Sequence, residues 1–377
     1  MKESEQIYHD LRKHLDNQAV GFPAIKSGAE IRILKRLFTP EEAGLAMHLT
    51  YRPCSAREFY DTVKPEGMTL ADVEKTLEGM RDKGAIGRVK KENAYHYFTW
   101  SFVIGMYEMQ LGKLTPEFLN DVAEYLNDRN FGLSFLSTKL PQMRTIPVQK
   151  SITVEHHVTS YDNVREIINE TEGPIAINEC ICRQVAAMNG KPCQKTSRHE
   201  TCMCFGEWAE YGIKEGVSRS ISKEEALEIM LQSEEEGLVL QPSNNQKVEF
   251  ICACCGCCCG MLSMHKIIPK PVDFWATNFY ALIDAEKCNG CGTCVERCQV
   301  NAVGINEKTG ASSVNLGRCI GCGNCVITCP SEAITLAKKE KETVPPDDAE
   351  SLYRTIAENK LSALGKVKLI GRMVLKR

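Results

Sequence analysis

The 377-residue sequence lacks several features that identify common classes of protein. Its longest uncharged stretch, residues 250–264, carries six cysteines and two glycines, so we interpret it as a ligand loop rather than a membrane span. Residues 1–11 are polar and charged, and no Arg-Arg pair lies near this end, so no secretory or twin-arginine signal is predicted. The absence of a glycine-rich nucleotide fingerprint and of a P-loop argues against a self-contained flavoenzyme or an ATP-driven activator.

Charge and composition exclude little else. The formal net charge of -3 gives no global nucleic-acid signature, and 25% charged with 43% hydrophobic residues is ordinary for a globular protein of two or three domains. The 20 cysteines are the exception. Many are spaced by one or two residues inside glycine-rich turns, which suits metal binding better than disulfide pairing. We therefore expect a reducing, anaerobic cytoplasm as the compartment.

The most specific pattern lies in residues 288–330. It contains Cys-x2-Cys-x2-Cys-x3-Cys twice, and the second copy starts 31 residues after the first, at Cys319 rather than Cys288. Four soft thiolates that converge within a few ångströms suit an iron–sulfur cubane. Structural zinc is the alternative, although zinc sites usually separate two Cys-x2-Cys knuckles by a longer spacer. The eight cysteines are Cys288, Cys291, Cys294, Cys298, Cys319, Cys322, Cys325 and Cys329.

This double run resembles the bacterial two-cluster ferredoxins, in which each fourth cysteine binds the other cluster. The resemblance implies two [4Fe–4S] clusters, and their ligands would be Cys288, Cys291, Cys294 and Cys329 for the first and Cys319, Cys322, Cys325 and Cys298 for the second. One departure is that Gln299 stands where the second copy has Pro330. Apolar pairs that follow each copy, Val303 with Ile305 and Ile334 with Leu336, predict a short strand under each cluster.

A second group of eleven cysteines precedes the ferredoxin-like run. They are Cys180, Cys182, Cys193, Cys202, Cys204, Cys252, Cys254, Cys255, Cys257, Cys258 and Cys259. Predicted strands at 174–178 and 247–251 end at the two halves of this group, and neighbouring strands would bring both halves to one sheet edge. We expect one or two additional Fe–S clusters here, with structural zinc and a disulfide or thiol relay as alternatives.

The expected grouping of these thiols follows their order in the chain. The first set would be Cys180, Cys182, Cys193 and Cys202, and the second would draw on the cysteines between 252 and 259, with sharing between the sets left open. Arg183, which follows Cys182, would raise the potential of a nearby cluster by offsetting its negative charge.

Residues 30–130 have the pattern of a winged helix-turn-helix. Thr39 and Thr69 are predicted helix caps, and a hairpin with its tip at 91–93 would be the wing. Helices are also predicted at 103–111 and 116–126. The recognition helix at 69–83 carries four acidic residues against three basic ones, so we expect a docking scaffold rather than DNA binding. Cys54 is predicted to be a core residue and not a ligand.

The sequence therefore predicts an α+β multi-domain protein. Its parts are a winged-helix-like domain at 1–130, a Cys-rich α/β module at 131–270, the ferredoxin domain at 271–340, and a linker with a basic amphipathic tail at 341–377. An α/β unit is expected between 145 and 180, with a strand at 145–158 and a helix at 164–169 capped by Ser160 or Asp162. His156 and His157 are interpreted as ordinary polar residues. The tail at 366–377 would contact a membrane surface, a partner or its own protein.

This order of parts resembles multi-domain 4Fe–4S binding proteins of anaerobic bacteria and archaea. The resemblance implies electron transport with a partner oxidoreductase and supplies no substrate. Two other classes stay open. One is a reductase whose open-site cluster lies within 180–259, which an iron with a non-cysteine ligand would indicate. The other is a redox-sensing winged-helix regulator, which salt-dependent DNA binding would indicate.

Overall fold

The computed structural model describes residues 2–153, 158–362, 365 and 369. It divides the chain into two compact units. The first contains the residues up to Lys139 together with a C-terminal segment that starts at Glu350, and the second contains Leu140–Ala349. The expected mixture of helices and strands is confirmed. The cysteine-rich and ferredoxin-like segments lie within one unit, and the domain boundaries proposed from the sequence stay predictions.

The first unit is mainly helical, with one three-stranded antiparallel sheet in the order β1-β3-β2. Its elements are α1 (Lys2–Asp16), α2 (Ala29–Leu37), α3 (Pro40–Ala46), β1 (Cys54–Ser55), α4 (Ala56–Val63), α5 (Leu70–Asp82), β2 (Gly87–Lys91), β3 (Ala94–Phe98), α6 (Pro116–Leu126) and α7 (Arg129–Phe135), with α14 (Ala349–Glu358) near the C-terminus.

Local capping chemistry was predictable in this unit. The hydroxyls of Thr39 and Thr69 accept hydrogen bonds from the backbone N–H groups of Glu42 and Asp72, in complete capping boxes that begin α3 and α5. The predicted hairpin is β2–β3. The winged-helix interpretation itself stays a prediction. Cys54 donates a hydrogen bond to the Tyr97 carbonyl at 3.7 Å, and burial raises its pKa to about 11.

The helix predicted at 103–111 is wrong. The chain there forms a succession of turns with a single 3₁₀ turn at Glu108–Gln110. Gly105 adopts a φ of 155°, outside the helical region, and pairs with Ser101 in an isolated bridge. The backbone conformation of Gly105 is therefore incompatible with a continuous helix over these residues.

The second unit is built on a five-stranded antiparallel sheet in the order β6-β4-β5-β8-β7. Its elements are α8 (Val164–Glu170), β4 (Ile175–Glu179), α9 (Ile181–Met188), β5 (Glu200–Phe205), α10 (Gly206–Lys214), β6 (Ser218–Ile221), α11 (Lys223–Glu235), β7 (Val239–Pro242), β8 (Phe250–Cys254) and α12 (Gly260–Ile267).

One face of this sheet is apolar and carries the hydrophobic core. Ile177, Met203 and Ile251, from the three central strands, are fully buried against α8 and α11. Because side chains alternate along a strand, the residues on either side of each of these three point to the opposite face of the sheet. On that face β5 carries Cys202 and Cys204, and β8 carries Cys252 and Cys254.

Three expectations for this unit need correction. Residues 145–153 form a loop with a 3₁₀ turn at Gln149–Ser151 instead of a strand, and residues 154–157, with His156 and His157, lie outside the described residues. The cap of α8 is Asn163, whose side chain accepts from two backbone N–H groups, and not Ser160 or Asp162. The strands that precede the two cysteine groups are not neighbours, because β5 lies between β4 and β8.

The ferredoxin-like segment adds two small antiparallel sheets. Their strands, together with the short helix between them in the chain, are β9 (Phe279–Ile283), α13 (Thr293–Arg297), β10 (Val303–Ile305), β11 (Ser312–Val314) and β12 (Ile334–Lys338). The strands predicted after each cysteine run are thus confirmed as β10 and β12. Gly321 shows why glycine is required in these runs: its φ is 63°, and a Cβ would lie 2.2 Å from the Phe279 carbonyl oxygen. The basic tail at 366–377 lies outside the described residues apart from Leu369.

A buried ion pair ties the loop at 145 to the rest of the second unit. The Arg144 guanidinium lies 3.7 Å from Asp162 and donates to the carbonyls of Ser243 and Asn245. Asp162 in turn accepts a hydrogen bond of 2.7 Å from Asn278, just before β9. Both charged side chains are almost fully buried, so each depends on the other for charge compensation.

We expect Arg144→Met to lower the free energy of unfolding of the second unit by about 3–5 kcal/mol, because it leaves Asp162 buried without a cation. Anaerobic urea denaturation measures this loss. The control is Arg219→Met: its side chain is 48% exposed beside Glu200 and Glu225, and it should cost less than about 1 kcal/mol. Equal losses for the two variants would contradict the assignment of Arg144 as a buried structural cation.

Candidate metal centres

The middle cysteines occupy positions that the sheet brings together. Cys202 in β5 lies directly opposite Cys252 in β8. Cys180 is the residue between β4 and α9, and Cys259 is the N-cap of α12. The antiparallel register therefore brings together two thiols that are fifty positions apart in the chain, Cys202 and Cys252.

Six of these thiols form a closed ring, which we call the six-thiol ring. Each member interacts with two others in the order Cys180, Cys182, Cys259, Cys254, Cys252, Cys202 and back to Cys180. Hydrogen bonds from Cys182 and Cys202 hold the pKa of Cys180 well below its ordinary value, whereas the pKa values of Cys182 and Cys202 are raised by their contact with Cys180. Neighbouring thiols cannot all ionise without a cation, and iron supplies that cation in a cluster.

The ring lies deep in the second unit. Cys180, Cys254 and Cys259 are buried. Cys182, Cys202 and Cys252 are partly accessible. The all-thiolate donor set of the ring fits an iron–sulfur cluster.

Four other thiols form a separate group, the surface quartet of Cys193, Cys255, Cys257 and Cys258. Their sulfur atoms all lie within 4.8 Å of one another. Cys193 Sγ is 3.6 Å from Cys255 Sγ and 3.8 Å from Cys257 Sγ, and the sulfurs of Cys257 and Cys258 are 3.7 Å apart. Cys257 is exposed and Cys255 is buried, so the quartet lies at the protein surface with one side in the core.

This grouping differs from the one expected from chain order. Cys193 lies with cysteines of the 255–258 turn, while Cys252, Cys254 and Cys259 lie with the first set. Cys204 stands apart from both groups: it donates a hydrogen bond of 3.3 Å to the Asn178 side chain, and burial raises its pKa to about 12.

Arg183 lies between the two thiol groups and is 3% exposed. Its guanidinium donates to the Thr201 hydroxyl and, at 2.9 Å, to the Ala253 carbonyl in β8. Burial by itself lowers the pKa of Arg183, but the charges of Cys180, Cys255 and Cys193 hold that pKa above its ordinary value. One fixed positive charge thus faces both the six-thiol ring and the surface quartet.

In the ferredoxin-like segment, backbone N–H groups point at the sulfur atoms. Ala302 donates to Cys298 Sγ at 3.1 Å, Ser312 to Cys288 Sγ at 3.3 Å, and Ala281 to Cys319 Sγ at 3.4 Å. Such N–H···S bonds favour the more negative state of a bound cluster and so tune its potential.

The position of Cys298 supports the crossed ligand set that the resemblance implies. The charges felt by Cys322 and Cys325 include that of Cys298, although Cys298 belongs to the first run in the sequence; Cys325 also feels Cys294 of that run, to a smaller extent. Burial raises the pKa of Cys322 to about 12, with Cys298 and Cys319 among the charges that add to the effect. Cys298, Cys319, Cys322 and Cys325 therefore share one environment.

The two ferredoxin sites differ in exposure. Cys291 is exposed, and hydrogen bonds from Thr293 lower its pKa. Cys319 and Cys325 are buried, and burial raises their pKa values. The first site therefore reaches solvent at Cys291, although its Cys294 is buried, and the second site has two buried cysteines, Cys319 and Cys325.

Gln299, the departure from the ferredoxin pattern, has a structural explanation. Its side-chain carbonyl accepts a hydrogen bond of 2.9 Å from the backbone N–H of Gly256, between two cysteines of the surface quartet. A proline at this position has no side-chain acceptor to offer. The residue after Cys298 thus joins the ferredoxin-like segment to the cysteine-rich region.

Comparison with known proteins agrees with this geometry. Residues 280–330 match the 4Fe-4S dicluster domain, and residues 318–359 match a second family of the same description. No curated protein sequence matches the chain significantly. Together with the cysteine groups of the middle region, these matches support multiple iron–sulfur clusters on one chain and a role in iron–sulfur electron transfer. Among the described residues, no helix is long and apolar enough to cross a membrane.

If the crossed ligand set is correct, Cys298→Ser should damage the buried second site and leave the first intact. Its EPR spectrum after reduction should match that of Cys322→Ser and differ from that of Cys291→Ser, since the latter variant alters the exposed site. A Cys298→Ser spectrum that matches Cys291→Ser would contradict the crossed assignment.

Removal of the Arg183 charge should lower the reduction potential of the cluster bound by the six-thiol ring. We expect Arg183→Gln to shift it down by on the order of 50 mV, about a tenfold change in a one-electron equilibrium. Arg183→Lys keeps the charge and should shift it less, and Arg198→Gln, at a partly exposed arginine paired with Glu236, should not shift it. Redox titration monitored by EPR measures the three variants, and an unchanged potential in Arg183→Gln would contradict the role.

Proposed function

We propose that this protein passes low-potential single electrons between its iron–sulfur clusters and a partner oxidoreductase, as an electron carrier or an electron-transfer subunit. The clusters, when bound, supply reversible one-electron chemistry. The residues of this chain hold, bury and connect the cluster sites.

One observation carries the proposal. Cys254 and Cys259 of the six-thiol ring belong to the same hydrophobic cluster as Cys294, Cys319 and Cys325 of the ferredoxin-like segment. Val239, Leu262 and Ile320 are among the residues that fill this shared core. A ferredoxin domain that exchanged electrons only with outside partners would not need to pack its buried cysteines against a second set of buried thiols. The shared core favours electron exchange between the two regions.

The solvent exposure of the cysteines indicates which cluster site a partner protein would approach first. The exposed Cys291 precedes Gly292, where a Cβ would lie 3.6 Å from the side chain of Ile305, itself 49% exposed. This edge offers a partner protein close approach to the first ferredoxin site. The second site and the six-thiol ring are buried behind it, which protects them from solvent.

A reductase is the alternative function for the six-thiol ring. The ring offers six thiols where a cubane takes four, so no iron of such a cluster would lack a cysteine ligand, and this surplus weighs against the alternative. A reductase site requires an iron with a ligand other than cysteine, and spectroscopy with isotopically labelled solvent detects such a ligand. Exclusively cysteine-ligated iron in the ring would leave electron transfer as the function.

The proposal predicts that the ring receives electrons through the second ferredoxin site. In anaerobic flash photoreduction with freeze-quench EPR, Cys322→Ser should slow the reduction of the middle-region cluster severalfold. Cys204→Ser is the matched control, since Cys204 stands outside both thiol groups, and should leave the rate unchanged. An unchanged rate in Cys322→Ser would contradict electron transfer to the ring through the second ferredoxin site.

A further inference from the structure

The sulfur atoms of the surface quartet are too close together for a cubane. Their nearest separations are 3.6, 3.7 and 3.8 Å, and all four sulfurs lie within 4.8 Å of one another. In a cubane each thiolate binds a different iron atom, so the thiolate sulfurs lie much further apart than the ligands of a single ion. The quartet therefore has the spacing of one coordination sphere.

Simple geometry gives the expected separation for such a sphere. A tetrahedral ion with metal–sulfur bonds of about 2.3 Å places its thiolates about 3.8 Å apart, since a tetrahedron edge is about 1.6 times the distance from centre to corner. The three nearest sulfur–sulfur separations in the quartet agree with this edge. Four cysteine ligands and no further donor are typical of a closed, structural tetrathiolate site.

The ferredoxin-like cysteines provide an internal comparison. All eight of them are among the described residues, and none joins a group of three or more candidate ligand atoms as close as the quartet. The same holds for the members of the six-thiol ring, which are likewise described. The two kinds of spacing within one chain thus separate cluster-type sites from a single-ion site.

We propose that Cys193, Cys255, Cys257 and Cys258 bind one tetrahedral metal ion, zinc or iron, as a centre separate from the iron–sulfur clusters. The backbone N–H groups of Lys195 and Thr196 face Cys193 Sγ and lower the pKa of this thiol, which favours the thiolate that a metal ion requires. The charge of Arg183 acts on the same sulfur and offsets part of the negative charge of four thiolates on a divalent ion.

The position of the ion indicates its role. It would fasten the loop that carries Cys193 to the turn at 255–258 and so fix Gly256, between Cys255 and Cys257. Gly256 is held from both sides, because its N–H donates to Gln299 and its carbonyl accepts from Lys266 Nζ at 2.7 Å. A Cβ on Gly256 would lie 2.4 Å from the Gln299 carbonyl oxygen, so the approach requires glycine. The ion would thereby position the residue that follows Cys298, a ligand of the second ferredoxin site.

The test counts metal and sulfide in one anaerobic sample of the full chain. Cys257→Ser and Cys193→Ser should each lose one ion per chain, read as zinc or as iron, with acid-labile sulfide unchanged. Cys204→Ser is the matched control and should lose nothing. Loss of about four irons together with about four sulfides would identify a cubane instead, and loss of no metal would also overturn the proposal.

A measurement on the unaltered protein covers the case in which the variants do not fold. Zinc analysis and iron-57 Mössbauer spectroscopy should together find one zinc per chain or one high-spin tetrathiolate iron per chain, distinct from the cluster iron. The absence of both species would overturn the proposal. The result is independent of electron transfer, because a chain could hold this ion and still fail every electron-transfer assay.

Discussion

The second unit depends on the compensation of negative charge among closely packed thiols. Ten of its cysteines lie in two groups: the six-thiol ring, where each thiol interacts with two others, and the surface quartet, whose sulfurs lie within 4.8 Å of one another. Neutral thiols are weak hydrogen-bond donors, and thiolates at such distances repel one another. Metal binding resolves this conflict, so we expect folding of this unit to be coupled to metal loading.

The antiparallel sheet makes this concentration of thiols possible. Its alternation sends Met203, Ile251 and Ala253 into an apolar core and turns the intervening cysteines to the opposite face. The hydrophobic free energy of the first face stabilises a sheet whose second face could not fold by apolar burial alone. Arg183 then brings one fixed cation to the boundary between the two thiol groups, held by hydrogen bonds to Thr201 and Ala253.

How much could be predicted from the sequence depended on how local each feature is. The ferredoxin run, the caps at Thr39 and Thr69, and the strands after each cysteine run all follow from spacing over a few residues. The grouping of the middle thiols could not be predicted from local spacing. It depends on the strand order β4-β5-β8 and on the pairing of Cys202 with Cys252 across two strands. Gln299 was visible as an anomaly, but its partner Gly256 lies 43 positions away and only the fold brings them together.

The most direct test of this account is an iron-edge anomalous difference map from anaerobically grown crystals. We predict multi-iron density at the two ferredoxin sites and a third such density within the six-thiol ring. Iron at the ferredoxin sites with none in the ring would contradict it, and the cysteine-rich region would then be a thiol or zinc module beside an ordinary ferredoxin domain.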